Sequence, residues 1–304
     1  MTAQADVKRY ELLIGGQAVA PGGGAYSSII DPSTETPIAS VAQGTAADVD
    51  RAVQAARAAL KPWNAIRASE RGRILMRFAE LMRTHQDEIA AVESLDAGKP
   101  ISGVQRQDVP AAIDTLAYYA GWCDKINGQV VPTRPDALTY TVREPVGVVA
   151  AIIPWNGPVM LIAYKLAPAL LAGCTVILKA SPEAPGMAYI FAQIAEEIGL
   201  PPGVVNVVTA DRAVSELLVR HPDVDKISFT GSSAAGKKIA SICGERIARC
   251  TLELGGKSAA VILDDYEVGA AAKIRPLFFP LQALGLPLPA PGAEKRVEDH
   301  PGEA

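Results

Sequence analysis

Cysteine is scarce in these 304 residues: there are four, at positions 123, 174, 243 and 250. So few, so scattered, cannot form the disulfide framework of a small secreted domain. No Cys-x-x-Cys pair or His/Cys cluster points to a structural metal, and no metal ligands are expected. An excess of one charge sign is also missing. Lys and Arg number 29 against 33 Asp and Glu, for a net charge of −4, so an electrostatic grip on nucleic acid is not expected. The first nine residues lack the apolar stretch of a signal peptide, so the expected location is the cytoplasm. Long uninterrupted hydrophobic runs are absent too. The apolar segment 146–178 is cut by Pro154, Asn156, Pro158, Lys165 and Pro168. The segment 276–293 carries no charge but holds prolines at 276, 280, 287, 289 and 291. Neither reads as a membrane-spanning helix. What is present is apolar material for a sizeable core: 49% hydrophobic and 20% charged residues exclude wholesale disorder.

The pattern along the chain divides it into four parts. Residues 1–127 read as helical. Thr45 and Asp48 form a capping pair ahead of Val49, Val53 and Ala56 on one helix face. Ile74, Leu75, Phe78, Leu81 and Met82 make a second apolar stripe, and Ile89, Val92 and Leu95 a third that Gly98 and Pro100 stop. A further helix is expected near 103–126, with Tyr118 and Trp122 one turn apart. Residues 128–145 read as extended bridging or oligomerising strands, with Thr139 and Thr141 alternating with Tyr140 and Val142. From 146 to 268, short apolar runs at 146–153, 174–178, 204–208, 226–229 and 249–254 alternate with helical stretches at 159–172, 185–199, 213–221 and 234–244. That alternation predicts an α/β fold: a Rossmann-like, mostly parallel five-stranded sheet with helices on both faces and an N-terminal helical layer. Residues 269–304, rich in proline, read as a poorly ordered or loosely packed tail.

Ligands of such sheets bind beyond the carboxyl ends of the strands, so the residues there carry the functional reading. Pro154-Trp155-Asn156-Gly157-Pro158 follows the first strand. It is either an ordinary turn or a loop presenting the Asn156 amide to a developing oxyanion. Lys179 ends the second strand ahead of Ser181, placed for a ribose or phosphate, or simply solvated. Phe229-Thr230-Gly231-Ser232 ends the fourth strand and opens a helix whose N–H groups suit a pyrophosphate. The same stretch, 231–238, nearly matches a P-loop, with Lys238 where a Ser or Thr should hold Mg²⁺, and 261–264 resembles its acidic strand. A nucleotide triphosphatase is therefore the alternative function. Glu253 follows an apolar run and precedes Gly255 and Gly256. It is either a general base whose pKa is raised by its surroundings or a salt-bridged structural residue.

Pro154-Trp155-Asn156, Lys179 before Ser181, Phe229-Thr230-Gly231-Ser232 and Leu252-Glu253-Leu254-Gly255-Gly256-Lys257-Ser258 stand in the order and at spacings that resemble the aldehyde dehydrogenase superfamily. The resemblance runs from about Leu13 to about Asp265. It implies oxidation of an aldehyde to a carboxylic acid with NAD or NADP. A cysteine thiolate attacks the carbonyl, the Asn156 amide holds the oxyanion, and Glu253 activates the hydrolytic water. It further implies coenzyme contacts from Ile153, Pro154, Trp155, Lys179, Ser181, Gly231, Ser232 and Gly255, with Gly157, Leu161 and Tyr164 near the substrate entrance. The family is homo-oligomeric.

Two departures qualify that likeness. The family often places an acid three residues after the lysine for the ribose hydroxyls; here that residue is Pro182 and the acid is Glu183, which leaves NAD against NADP open. The nucleophilic cysteine of the family lies some three dozen residues beyond the Glu, in a Gly-Gln-x-Cys context, and no cysteine follows Cys250 in this chain. The likeness fades after 265–268, and the uncharged proline-rich sequence beyond Arg275 has the character of a shifted reading frame or rearranged gene end. The expectation is a C-terminally truncated family member that binds coenzyme without turnover and exposes apolar surface. The two other reading frames of the coding DNA beyond codon 268 test the frameshift form of that expectation.

Overall fold

The computed structural model describes residues 8–256, 261, 263, 265–267 and 269. Two units are distinguished, Met1–Gly255 and Gly256–Ala304, and the elements below belong to the first. Apart from Gly269, the proline-rich tail lies outside the described residues.

The chain opens not with helix but with five short strands: β1 (Lys8–Tyr10), β2 (Leu12–Ile14), β3 (Gln17–Val19), β4 (Tyr26–Ile30) and β5 (Pro37–Ala42). Helices α1 (Ala46–Ala65), α2 (Ala68–Thr84) and α3 (Gln86–Ala97) follow. The helix expected near 103–126 runs without a gap over 101–120, as a short α4 (Ile101–Gly103), a π-helical turn over Val104–Asp108 and α5 (Val109–Ala120). Pro110 has no N–H to continue an α-helical ladder, and a π-turn just before it absorbs the mismatch. An antiparallel ribbon, β6 (Val130–Arg134) with β7 (Ala137–Tyr140), leads into the alternating portion. That portion comprises β8 (Val148–Ile152), α6 (Pro158–Leu171), β9 (Thr175–Ala180), α7 (Gly186–Glu197), β10 (Val205–Thr209), α8 (Arg212–Arg220), β11 (Lys226–Gly231), α9 (Ser233–Glu245) and β12 (Arg249–Leu254).

The main sheet has seven strands in the order β12-β11-β8-β9-β10-β2-β3. Its five parallel strands are the five apolar runs of the sequence. The two additional strands are the antiparallel β2–β3 hairpin, which joins β10 through Val207 opposite Leu13. Gly15 and Gly16, both at positive φ, form its two-residue turn, the geometry that suits the twist of the flanking strands.

Two apolar layers sandwich the sheet. On one face α6 packs against β8 and β9 and α7 against β10, with α2 and α5 stacked outside them around Trp63, Phe78, Leu116, Leu166 and Phe191. On the other, α1, α8 and α9 cover Val148, Ala150, Ile152, Ile177 and Ile227. The expected pair Thr45 and Asp48 is a true capping box: the Thr45 N–H donates to Asp48 Oδ2 at 2.8 Å and the Asp48 N–H to Thr45 Oγ1 at 3.4 Å. The expected stripe on α3 holds in part. Ile89 is buried and Val92 packs against the core as expected, but Leu95 is 45% exposed, and Ala90, Glu93, Asp96 and Ala97 face inward beside Ile89. The inward carboxylates have partners that only the tertiary fold supplies.

Candidate functional site at the strand ends

The strand order fixes where a ligand can enter. β8 lies centrally, with β9 and β10 on one side and β11 and β12 on the other. The chain leaves β8 toward β9, then crosses from β10 back to β11. That reversal opens a crevice between the carboxyl ends of β8 and β11. The expected residues converge there from four strands. The Ile153 N–H donates to the Lys179 carbonyl at 3.0 Å, which ties the segment after β8 to β9. Pro154, Trp155 and Asn156 then run out over the edge, the last two exposed, before Gly157 and Pro158 turn inward to start α6. Tyr164, one turn and a half into α6, is exposed, and Leu161 is half-buried.

Across the crevice, Gly231 ends β11 and Ser232 caps α9, its Oγ accepting the Ala235 N–H at 3.3 Å. A Cβ on Gly231 would fall 2.6 Å from Cζ of the Phe229 ring, so glycine lets that ring fold back under the strand end. The first N–H groups of α9 and the positive end of its dipole face outward. The P-loop alternative fails on this geometry. From Ser233 onward the frame is already helix, so no loop remains to wrap a triphosphate, and Lys238 is paired with Glu216 on α8.

Lys179 is half-buried on β9. Burial lowers the pKa of its ammonium, and the carboxylates of Glu183 and Asp211 act in the opposite sense. The acid displaced to 183 folds back: Ser181 Oγ donates to Glu183 Oε2. A carboxylate therefore stands near Lys179 despite the proline at 182.

Glu253 lies on the edge strand β12 opposite Thr230 of β11 and is exposed. The apolar enclosure expected around it is absent among the described residues. Gly255 is exposed beside it, and Lys257 and Ser258 lie outside the described residues. Sequence reasoning missed the neighbour of Glu253. Lys165 on α6 is 7% exposed, and its Nζ donates to Ser228 Oγ at 3.2 Å. Burial pulls its pKa down to about 8, the Glu253 carboxylate opposing and Lys226 reinforcing the shift. The signal was its register: Lys165 follows Ile162 by three positions and precedes Leu166, on the buried face of an apolar helix. Beneath the crevice, Glu93 Oε2 accepts the Val159 N–H at 3.3 Å and Glu93 Oε1 has no partner.

No thiol joins this cluster. Cys123, Cys174 and Cys243 are buried and Cys250 is exposed. Alternation along β12 turns Cys250 to the α9 side with Leu254, which packs on Gly236 of α9, and Glu253 to the side of Lys165. Among the described residues no three His, Cys, Asp or Glu side chains group as metal ligands, and no helix is long and apolar enough to cross a membrane.

The sequence profile of the aldehyde dehydrogenase family matches residues 20–275. This chain belongs to the aldehyde dehydrogenase family. It is 43% identical over 263 residues to an aldehyde dehydrogenase of Alternaria alternata, covering 86% of this chain and 53% of that protein. With cytosolic aldehyde dehydrogenase 1 of Mus musculus it shares 44% identity over 254 residues, 81% of this chain and 50% of the relative. The solved NAD⁺ complex of aldehyde dehydrogenase from Bacillus cereus superposes with a TM-score of 0.85 at 39% identity, covering 88% of this chain and 55% of that one. The chain thus spans about half the length of the relatives it matches. Neither the family match nor the solved neighbours support a P-loop triphosphatase.

Proposed function

We propose that this chain is the coenzyme-holding portion of an NAD(P)-dependent aldehyde dehydrogenase. The observation that carries the reading is the convergence of Pro154–Asn156, Lys179 and the capped start of α9 on one strand-end crevice. The group fits what is there. The first turn of α9 offers N–H donors to a pyrophosphate, while Lys179, with Glu183 folded back beside it, offers donors and an acceptor to ribose hydroxyls. NAD is the preferred form, because the Glu183 carboxylate repels a 2′-phosphate. The B. cereus relative was solved with NAD⁺. Bound there, the nicotinamide would supply hydride acceptance. The chain's own contributions are a polar amide at Asn156, a carboxylate at Glu253 and the ammonium of Lys165 beside it. Lys165, its Nζ donating to Ser228 Oγ and its pKa drawn down to about 8 by burial, places a positive charge near that carboxylate. The aldehyde substrate and any assembly into homo-oligomers belong to the same proposal.

Within these 304 residues none of the four thiols points at the crevice, so the chain holds coenzyme and does not turn over aldehyde. Titration of the purified chain with NAD, NADP and ATP tests the reading. The expected result is saturable dinucleotide binding, tighter for NAD, weakened about tenfold in Lys179→Ala through loss of charge-assisted hydrogen bonds. Folded protein that binds neither dinucleotide, or that hydrolyses ATP with Mg²⁺, overturns it. Aldehyde-dependent reduction of NAD well above a Glu253→Gln control would overturn the absence of turnover.

A further inference from the structure

Two thiols that the crevice does not use lie against each other. Cys243 is buried in the last turn of α9, and Cys250 is the second residue of β12 and exposed. In a parallel crossover the helix runs antiparallel to its strand, and one contact fixes the register here. A Cβ on Gly236, in the first turn of α9, would lie 2.4 Å from Cδ2 of Leu254 at the far end of β12. Seven residues along α9 from Gly236 lead to Cys243, roughly 10 Å and two turns on. Four residues back along β12 from Leu254 lead to Cys250, about 13 Å and two pleats away. Both steps preserve the side-chain face, so the two cysteines meet. The connection between them is tight, with the Ala248 N–H donating to the Cys243 carbonyl at 2.9 Å. Cys250 is near enough to Cys243 to act on its titration, reinforcing the upward shift that burial gives the Cys243 thiol. Cys123 at the end of the α5 segment and Cys174 at the start of β9 are buried elsewhere.

We propose that Cys243 and Cys250 form a peroxide-oxidisable dithiol, with Cys250 as the attacking and Cys243 as the resolving sulfur. Cys250 attacks one oxygen of hydrogen peroxide. The O–O bond breaks, Cys250 becomes a sulfenic acid, and its thiol proton leaves with the released hydroxide as water. The Cys243 sulfur then displaces the hydroxyl group, which departs with the Cys243 proton as a second water. Two thiols and one peroxide give one disulfide and two waters, and the sulfur pair loses the two electrons that peroxide gains. The order follows from access: peroxide reaches the exposed sulfur, while burial raises the pKa of the Cys243 thiol and keeps it protonated until its partner is activated. The crosslink pins the end of α9 to the strand that carries Glu253.

The test exposes the reduced, folded chain to stoichiometric hydrogen peroxide, then alkylates under denaturing conditions and maps peptides without reduction. The expected result is a mass lower by two hydrogens, alkylatable thiols falling from four to two, and one crosslinked peptide pair joining 243 to 250, all reversed by dithiothreitol. In Cys243→Ser the sulfenic acid on Cys250 persists and is trapped by dimedone. In Cys250→Ser all three remaining thiols survive the same exposure. Four alkylatable thiols after peroxide overturn the proposal. So does a crosslink between any other pair, including Cys250 to Cys250 of a second chain, or thiol loss in Cys250→Ser at the parental rate.

Discussion

Glu93 and Asp96 sit one turn apart on α3 and each closes the start of a different helix. The N-caps of α6 and α7, Gly157 and Pro185, offer no side-chain acceptor, so the first turns would leave N–H groups unpaired. Glu93 accepts the Val159 N–H and Asp96 accepts the Gly186 N–H at 2.7 Å. Both carboxyls are buried, and burial raises their pKa values to about 8 and about 7. Around Glu93, Lys99 opposes the shift, while Asp108 and Asp96 add to it. The sign follows directly. Between the ordinary 4.5 and about 8 the folded protein holds a proton on Glu93 that the unfolded chain releases, so stability falls as pH rises through that window. Urea midpoints measured across it should decline in the parent and decline less in Glu93→Gln, which cannot ionise. An identical pH slope in the variant would remove Glu93 as the cause. Glu93→Ala should lose roughly 1–3 kcal/mol, having left the Val159 N–H unpaired. At the crevice, Glu183→Ala should narrow the NAD preference over NADP by about tenfold in titrated dissociation constants, roughly 1.4 kcal/mol. An unchanged ratio would show that Ser181 holds that carboxylate away from the ribose.

Elements whose burial is one-sided or complete announced themselves in the sequence; elements held by neighbours did not. The five parallel strands were legible because strands covered on both faces read as continuous apolar runs. The β2–β3 hairpin was not read, although Gly15-Gly16 between Leu12–Ile14 and Gln17–Val19 is a hairpin turn signal; three-residue strands give too little alternation to register. Asn206 completes that join, accepting the Gly15 N–H at 2.9 Å, a contact 191 positions distant. The site divides in the same way. Asn156, Lys179, Ser232 and Glu253 could be singled out as candidates because strand ends are where ligands go, whereas Lys165 and Glu93 required knowledge of which helix faces which strand. The capping box on α1 was legible and can be measured. Asp48 also accepts the Gly22 N–H at 3.0 Å and pairs with Arg51, so Asp48→Ala should cost about 1–2 kcal/mol in a denaturant titration. A loss within error would mean that water replaces the carboxylate. Gly147 was not singled out in the sequence, but its role can be measured too. Its φ is +121°, and a Cβ would fall 1.9 Å from the Asp225 oxygen that receives the Val148 N–H and pairs with Arg57. Gly147→Ala should therefore lower the melting temperature by several degrees, since it adds backbone strain and displaces that carboxylate.

At the scale of the whole molecule, the β6–β7 ribbon is the part whose own interactions are least sufficient. Val130, Leu138, Tyr140 and Val142 are 72%, 77%, 63% and 64% exposed. An isolated two-stranded ribbon is marginally stable in water, and contiguous exposed apolar side chains of this kind mark a surface that another protein covers. We propose a second copy of the chain as that partner. The Thr133 and Thr139 hydroxyls, 2.8 Å apart, tie the two strands of the ribbon together, and its exposed apolar side chains could meet their own copies across a two-fold axis. Sedimentation velocity over a concentration series should therefore show association at micromolar protein. Leu138→Glu with Tyr140→Lys should shift the distribution to monomer, because a charge carried into an apolar interface must be desolvated. The same double variant should leave dinucleotide binding intact, since the candidate residues of the strand-end crevice lie on or just after β8, β9, β11 and β12 and none lies on the ribbon. Loss of both properties together would instead mean that the ribbon supports folding of the unit, and a parent that stays monomeric at high concentration would remove the interface altogether.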